Sequence, residues 1–358
     1  MKKMLALTAS VVMTAAEIFA YNPPVGGEDL FKWTSPDLIM GGASATGGAF
    51  LNVVPPSICY NPALTAREDR TMVDFSGTLF FNSEKVNLPG DEDSFFGAGF
   101  QLGTIIPTRY YVFTVTGQGL FSGFNTFDVK DSVVFHGGAS KDIIENRLYV
   151  GMNIYAGFYF GDNSDFTIGV DFGALYYFEK DIGILKKPRM GFSLLNVGKP
   201  LSGYETYGYD YDNYGEDSSY PGILTPRASF AATLFDTSNF DGFFSTDVSF
   251  PTFQNVVLDF SFATTFLNLV TLSAAYQVNF REMMEDVNNA VTPSIGLNFH
   301  FEINSSKLNK PGWERSQVLP SFAWQEIYKG IHAASFGFKA NLGMADKSAP
   351  EIILWDEE

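Results

Sequence analysis

Residues 147–160 read RLYVGMNIYAGFYF, and the alternation inside this stretch decides the fold. The even positions carry Leu148, Val150, Met152, Ile154, Ala156, Phe158 and Phe160. The odd positions carry Arg147, Tyr149, Gly151, Asn153, Tyr155, Gly157 and Tyr159. A β-strand turns successive side chains to opposite faces, so one face here is apolar throughout and the other is small, polar or tyrosine. That second face lacks the Lys and Glu that a sheet normally shows to bulk water. The fold must therefore supply an apolar environment on one side and a confined polar one on the other.

The same period of two recurs along the chain and marks about fourteen strands, most of them about ten residues long. They are expected near 72–82, 94–106, 109–121, 132–141, 147–160, 166–178, 189–197, 226–235, 241–250, 255–266, 268–279, 292–303, 317–327 and 332–343. In 166–178, Phe166, Ile168, Val170, Phe172, Ala174, Tyr176 and Phe178 alternate with Thr167, Gly169, Asp171, Gly173 and Tyr177. In 292–303, Ile295, Leu297, Phe299, Phe301 and Ile303 alternate with Ser294, Gly296, Asn298, His300 and Glu302. The charges fall on the second face. A β-sandwich would bury the apolar face, but it calls for a charged outer face and fewer strands. A transmembrane barrel satisfies both faces, with lipid outside, a polar lumen inside and every edge strand paired. Slipping one strand by a residue would misplace several apolar side chains, each worth roughly 1.5–3 kcal/mol, so the register is well specified. A propeller or solenoid would show a motif repeating at fixed spacing, and none is found.

Composition agrees with this reading. Of 358 residues, 18% are charged and 16% aromatic, with 36 Phe, 17 Tyr and 34 Gly, a profile unlike that of an ordinary soluble enzyme. A net charge of −17 excludes a nucleic-acid partner, whose phosphates would be repelled. Cys59 is the sole cysteine, which rules out an intramolecular disulfide and lies far beyond a lipoprotein cleavage site. Lys2 and Lys3 followed by an apolar run to Ala16 read as a secretory signal over 1–20. The later chain holds no run of ~18 uncharged apolar residues, so no transmembrane helix is expected. The domain plan is then a signal at 1–20, an N-terminal segment at 21–70, the barrel at 71–345 and an acidic C-terminal tail at 346–358.

Residues 39–66, IMGGASATGGAFLNVVPPSICYNPALTA, lack the clean alternation of the strands C-terminal to them. Paired glycines, a Pro-Pro step and Asn61-Pro62 mark a compact, irregular segment with tight turns, too apolar for a disordered linker. Gly41, Gly42, Gly47 and Gly48, a spacer, and then Asn61, Pro62, Ala63 and Leu64 just ahead of the first strand resemble the FadL-type outer-membrane long-chain fatty acid transporters. RMGFSLLNVGKPL at 189–201 is also similar to that family's mid-barrel strand, with Asn196 and Gly198 in the pattern that closes the strand end. The overall flavour is nearest the FadL-like proteins of spirochaetes. The resemblance implies a fourteen-stranded barrel plugged by an N-terminal hatch, a hydrophobic ligand that passes around or through the hatch, and outer-membrane lipid around the wall; the oligomeric state is left open, with a monomer favoured. The end of the chain departs from the common outer-membrane pattern, because GMADKSAPEIILWDEE comes after the last alternating strand where a closing aromatic is usual.

No catalytic constellation emerges. His136, His300 and His332 are widely spaced, and neither an H-E-x-x-H nor a G-x-S-x-G is present, so no enzyme activity, metal site or cofactor is expected. Charges in the lumen register are Asp171, Arg189, Arg227, Asp247, Asp259, Glu302 and Lys339. They fit either a network of mutual ion pairs or, for Arg189, Arg227 and Lys339, a grip on a substrate carboxylate. The Tyr-rich acidic stretch 204–222 reads as a solvated loop. A lure for apolar ligands, or a calcium site at Asp210, Asp212, Glu216 and Asp217, is the functional alternative, although the spacing is not that of an EF-hand.

The expected function is ATP-independent passage of hydrophobic small molecules such as long-chain fatty acids across a bacterial outer membrane. The rival readings are a FadL-related protein-interaction barrel like the type IX secretion subunit, and a general porin. With the N-terminus in the periplasm, the loops 83–93, 122–131, 199–225 and 280–291 face outward, and the link 304–316 is a long exception on the inner side.

Overall fold

A computed structural model describes residues 30–82, 96–122, 131–160, 164–206, 215–220, 224–253, 255–280, 283, 291–303, 316–328 and 331–342. The expected signal at 1–20, residues 21–29, the tail 346–358, Asp210, Asp212 and the central parts of the loops 83–93, 122–131, 280–291 and 304–316 lie outside the described residues.

The wall begins with β1 (Thr71–Asn82), β2 (Phe96–Pro107), β3 (Val112–Ser122), β4 (Ser132–Ile144), β5 (Leu148–Tyr159), β6 (Asp165–Tyr177) and β7 (Lys186–Lys199). It continues with β10 (Thr225–Asp236), β11 (Phe240–Ser249), β12 (Val257–Phe266), β13 (Val270–Asn279), β14 (Val291–Phe299), β16 (Gln317–Tyr328) and β17 (Ile331–Leu342). The short β15 (Phe301–Glu302) prolongs β14 past His300 and pairs with β16. Each wall strand is antiparallel to its neighbours, β14 pairs with β16, and β1 pairs with β17 from Thr71 opposite Leu342 to Asn82 opposite Ile331. These fourteen strands close on themselves, so no ladder edge is left to be satisfied by solvent.

The alternation sorts as the sequence predicts. On β5, Met152, Ile154 and Phe158 face outward while Tyr149, Asn153, Tyr155 and Tyr159 are buried inside. Outward pairs such as Phe75 opposite Phe338 and Phe244 opposite Phe262 build a continuous apolar belt. Inward positions hold Asp74, Ser76, Asp171, Asp247, Ser261 and Lys339, all buried. Hydrocarbon accepts the first set and a closed polar lumen the second. Among the described residues no helix is long and apolar enough to cross a membrane, a fact that bears on helices alone.

Several details differ from expectation. Within the connection between β7 and β10, β8 (Leu201–Thr206) pairs with β9 (Gly215–Tyr220) as a separate hairpin outside the wall, an ordering that the sequence did not disclose. Asn196 and Gly198 fall in the last four residues of β7, past the end of its pairing with β10 at Leu195. Asn196 takes a left-handed φ of 61°, and the β6–β7 register shifts between Val170 and Phe172 at that point. An extra residue is accommodated as a bulge, which asparagine tolerates. Glu302 on β15 stays in the lumen register of β14, opposite Gln317, but is exposed.

Candidate functional site

The lumen is filled by the chain itself. Residues 30–66 are almost wholly buried within the barrel and fold as short helical turns at Leu30–Thr34, Leu38–Gly42, Pro55–Cys59 and Pro62–Arg67. Leu30 and Trp33 pack against Phe80, Leu120, Tyr159, Ile327 and Ile331 near the end that carries the long connections. Ala63, Leu64 and Ala66 pack against Tyr149 and Leu175 toward the short-turn end, from which Thr71 starts the wall.

The residues that carried the family resemblance have specific local tasks. Gly47 and Gly48 adopt φ of 72° and 81°, and Gly41 adopts 98°, values that an L side chain rarely takes. At Gly42 the demand is closeness, since a Cβ there would lie 2.4 Å from the Asp37 carbonyl oxygen. Asn61 caps the last turn: its Oδ1 accepts from the Ala63 N–H at 3.0 Å, and Pro62 occupies the first position, where its missing N–H costs nothing. The Asn61 Nδ2 group donates to the Ala45 carbonyl at 2.6 Å and to the Ala174 carbonyl of β6 at 2.9 Å. One side chain thus caps a helix, pins the glycine loop and joins both to the wall. Burial pushes the Glu68 carboxyl above its ordinary range, opposed by the Arg70 N–H that it accepts at 2.9 Å.

The wall grips this segment with polar groups and recesses. Arg189 on β7 donates from Nε to the Thr46 carbonyl at 3.2 Å, and from Nη2 to the Gly48 and Ala49 carbonyls at 2.5 and 2.9 Å. Arg227 on β10 donates from Nη1 to the Ala43 carbonyl at 2.9 Å and pairs through Nε with Asp247 at 3.1 Å. Asp247 in turn accepts the Ala45 N–H at 2.9 Å, and Ser261 accepts the Ala49 N–H at 3.0 Å. From the opposite wall Lys339 donates to Asn52, which itself donates to Asp37, and Lys339 also reaches the Val53 carbonyl at 3.5 Å. Arg189, Arg227 and Lys339 therefore all engage the stretch 43–53, a meeting that their spacing in the sequence does not disclose. Lumen-facing glycines supply the fit: a Cβ on Gly191 would stand 1.9 Å from the Ala45 oxygen, and one on Gly173 would stand 1.9 Å from Asn61 Oδ1.

Toward the long-connection end a cavity remains, enclosing about 1020 Å³ of space between atoms, part of it open to solvent. Phe31, Lys32, Ala43, Cys59 and Tyr60 of the lumenal segment form its floor. Val134, Tyr155, Leu195, Leu201 and Val257 give its wall an apolar character, and Gln118, His136, Asp171, Arg227 and Gln277 place polar groups within it. The Lys32 Nζ donates to Gln277 Oε1 at 2.5 Å, and Arg227 lies over the Tyr60 ring at 5.4 Å. Of the three cationic candidates, Arg227 lines this cavity, while Arg189 and Lys339 sit against the segment below. His136 and Tyr155 belong to no catalytic motif, yet the alternation on β4 and β5 is enough to place both on the lumen face. Among the described residues no group of three or more metal-ligating side chains is found.

No protein-family model and no curated protein matches the chain. Solved structures do. The Ralstonia pickettii toluene transporter TbuX aligns at a TM-score of 0.51 and 10% identity, over 88% of this chain and 99% of that one. The monoaromatic hydrocarbon channel CymD aligns at 0.50 and 11%, over 89% and 100%. A Pseudomonas aeruginosa FadL homologue aligns at 0.47 and 12%, over 85% and 97%. At such identities the likeness to TbuX and CymD is one of fold alone: a closed antiparallel barrel.

Proposed function

We propose that this chain is an outer-membrane channel for apolar small molecules, in which residues 30–70 act as the hatch and the long connections face outward. The observation that carries the reading is the cavity lined by Phe31, Tyr60, Tyr155, Leu195 and Leu201, open toward the long-connection end and floored by the lumenal segment. Concave, largely apolar sites with a few placed polar groups are the usual form of a small-molecule site. TbuX is described as a toluene transporter and CymD as a monoaromatic hydrocarbon channel, which supports the same broad class of solute here. Long-chain fatty acids are the substrate suggested by the FadL-type motif at 41–64, and the tie to the spirochaete branch rests on the overall flavour of the sequence alone. Passage needs no ATP and no catalytic group, since a gradient and a wall suffice.

Saturable binding of a fatty acid or a monoaromatic compound to the protein in lipid nanodiscs is the expected result, with low conductance in planar bilayers. Absence of saturable binding by both classes, together with large steady conductance, would replace this reading with that of a general porin.

A further inference from the structure

The cavity wall holds a chain of hydrogen bonds whose chemistry can be assigned atom by atom. His136 on β4, Asn153 on β5 and Asp171 on β6 all face the lumen, with Asn153 directly opposite Asp171 across the strand pair. Asn153 Nδ2 lies 2.7 Å from Asp171 Oδ2 and 2.9 Å from His136 Nδ1. The other Asp171 oxygen accepts the Asn196 N–H at 2.7 Å, at the bulge of β7. Turning the Asn153 amide over would set its oxygen against the carboxylate, so the nitrogen must face Asp171. An amide nitrogen only donates, and His136 Nδ1 must therefore accept. The imidazole proton then resides on Nε2, because protonating both ring nitrogens would bring N–H against N–H. His136 is only 9% exposed, its ring packs 5.4 Å from that of Tyr155, and it lines the cavity. Among the described residues no hydrogen bond reaches Nε2, and that atom is not one of the sealed, partnerless ones. It is a donor of fixed direction with open space before it.

We propose that the cavity selects an apolar molecule bearing a carbonyl or carboxylate oxygen, which accepts a hydrogen bond from His136 Nε2, over a bare hydrocarbon of the same shape. This rests on the channel reading given above and names the head group that the channel prefers. The physical reason is the cost of burial. A hydrocarbon that fills the cavity strips water from the Nε2–H and returns nothing, whereas an oxygen replaces the lost partner.

Acetophenone and cumene, in which a carbonyl is replaced by a CH carrying a methyl group of similar size, make a suitable pair of probes. Equilibrium dialysis against protein-loaded and empty nanodiscs should show acetophenone, referenced to its own partition into the empty discs, binding roughly five- to tenfold more tightly than cumene referenced in the same way, the worth of one hydrogen bond. His136→Phe should abolish that preference while leaving cumene within about twofold, and His136→Gln, which keeps a donor, should recover part of it. Nitrogen-15 spectra of histidine-labelled wild type should show a protonated Nε2 and a bare Nδ1, a readout that needs neither ligand nor variant. Equal binding of both probes, no change in His136→Phe, or a protonated Nδ1 would overturn the head-group assignment and leave the channel standing. Failure of wild type to bind either probe would overturn the channel reading and this inference with it.

Discussion

Replacing Arg189 with Met keeps the unbranched, apolar stem of the side chain and deletes its three hydrogen bonds to the carbonyls of Thr46, Gly48 and Ala49. Hydrogen bonds to a charged group contribute about 1.5–3 kcal/mol each, so three give roughly 4.5–9 kcal/mol as an upper bound. The net figure is smaller, because one guanidinium serves all three and water entering the lumen can rehydrate the freed carbonyls. Taking about 3 kcal/mol, the population in which the loop is released should rise roughly a hundredfold. Hydrogen–deuterium exchange reads this directly, since the amides of Ala45 and Ala49 are bonded to Asp247 and Ser261 on the wall and exchange only when the loop leaves it. Protection over 43–52 should fall by about that factor, while the ladders β1–β17 and β11–β12 remain unchanged. Unaltered protection over 43–52 would show that the guanidinium does not hold the loop. A parallel loss in the ladders would show that Arg189 supports the barrel and not the segment within it.

Gly191→Val should displace the glycine loop, because the new Cβ would stand 1.9 Å from the Ala45 oxygen with backbone on both sides; single-channel conductance should rise, and Gly137→Val, whose added carbon meets nothing within 4 Å, should leave it unchanged. Phe262→Arg places a charge on the outer face near the middle of β12, where Phe262 is 56% exposed, and should destabilise the barrel in vesicles by about 2–4 kcal/mol in denaturant titrations. Glu68, whose carboxyl is raised by burial, favours the folded segment when protonated. Its contribution is therefore fully present below the ordinary glutamate value and is lost as pH rises through the raised one, so exchange over 66–70 should quicken with pH beyond the intrinsic rate, and Glu68→Gln should remove that excess.

The barrel was legible because the evidence for it is local. Each strand declares its two faces through side chains adjacent in sequence, as Ile154 and Asn153 do, and the count of fourteen comes from adding such segments. What the spacing hid was any feature that breaks the period. The bulge at Asn196 looks in sequence like the end of a strand, and the pairing of β8 with β9 across a Tyr-rich acidic stretch looks like a loop.

By itself the chain determined its period, its two environments and, through Gly41, Gly47, Gly48 and Asn61-Pro62, the presence of tight turns ahead of the wall. These stem from bond geometry and the steric demands of single residues. Tertiary structure alone decided that Arg189, Arg227 and Lys339 converge on the stretch 43–53, and that His136, Asn153 and Asp171 line up into one hydrogen-bonded row. The Arg189 to Gly48 bond spans 141 residues, and no local preference selects such a pair. Closure of the wall brings those side chains to a common axis, where burial makes each unpaired polar atom costly and so dictates which partners meet.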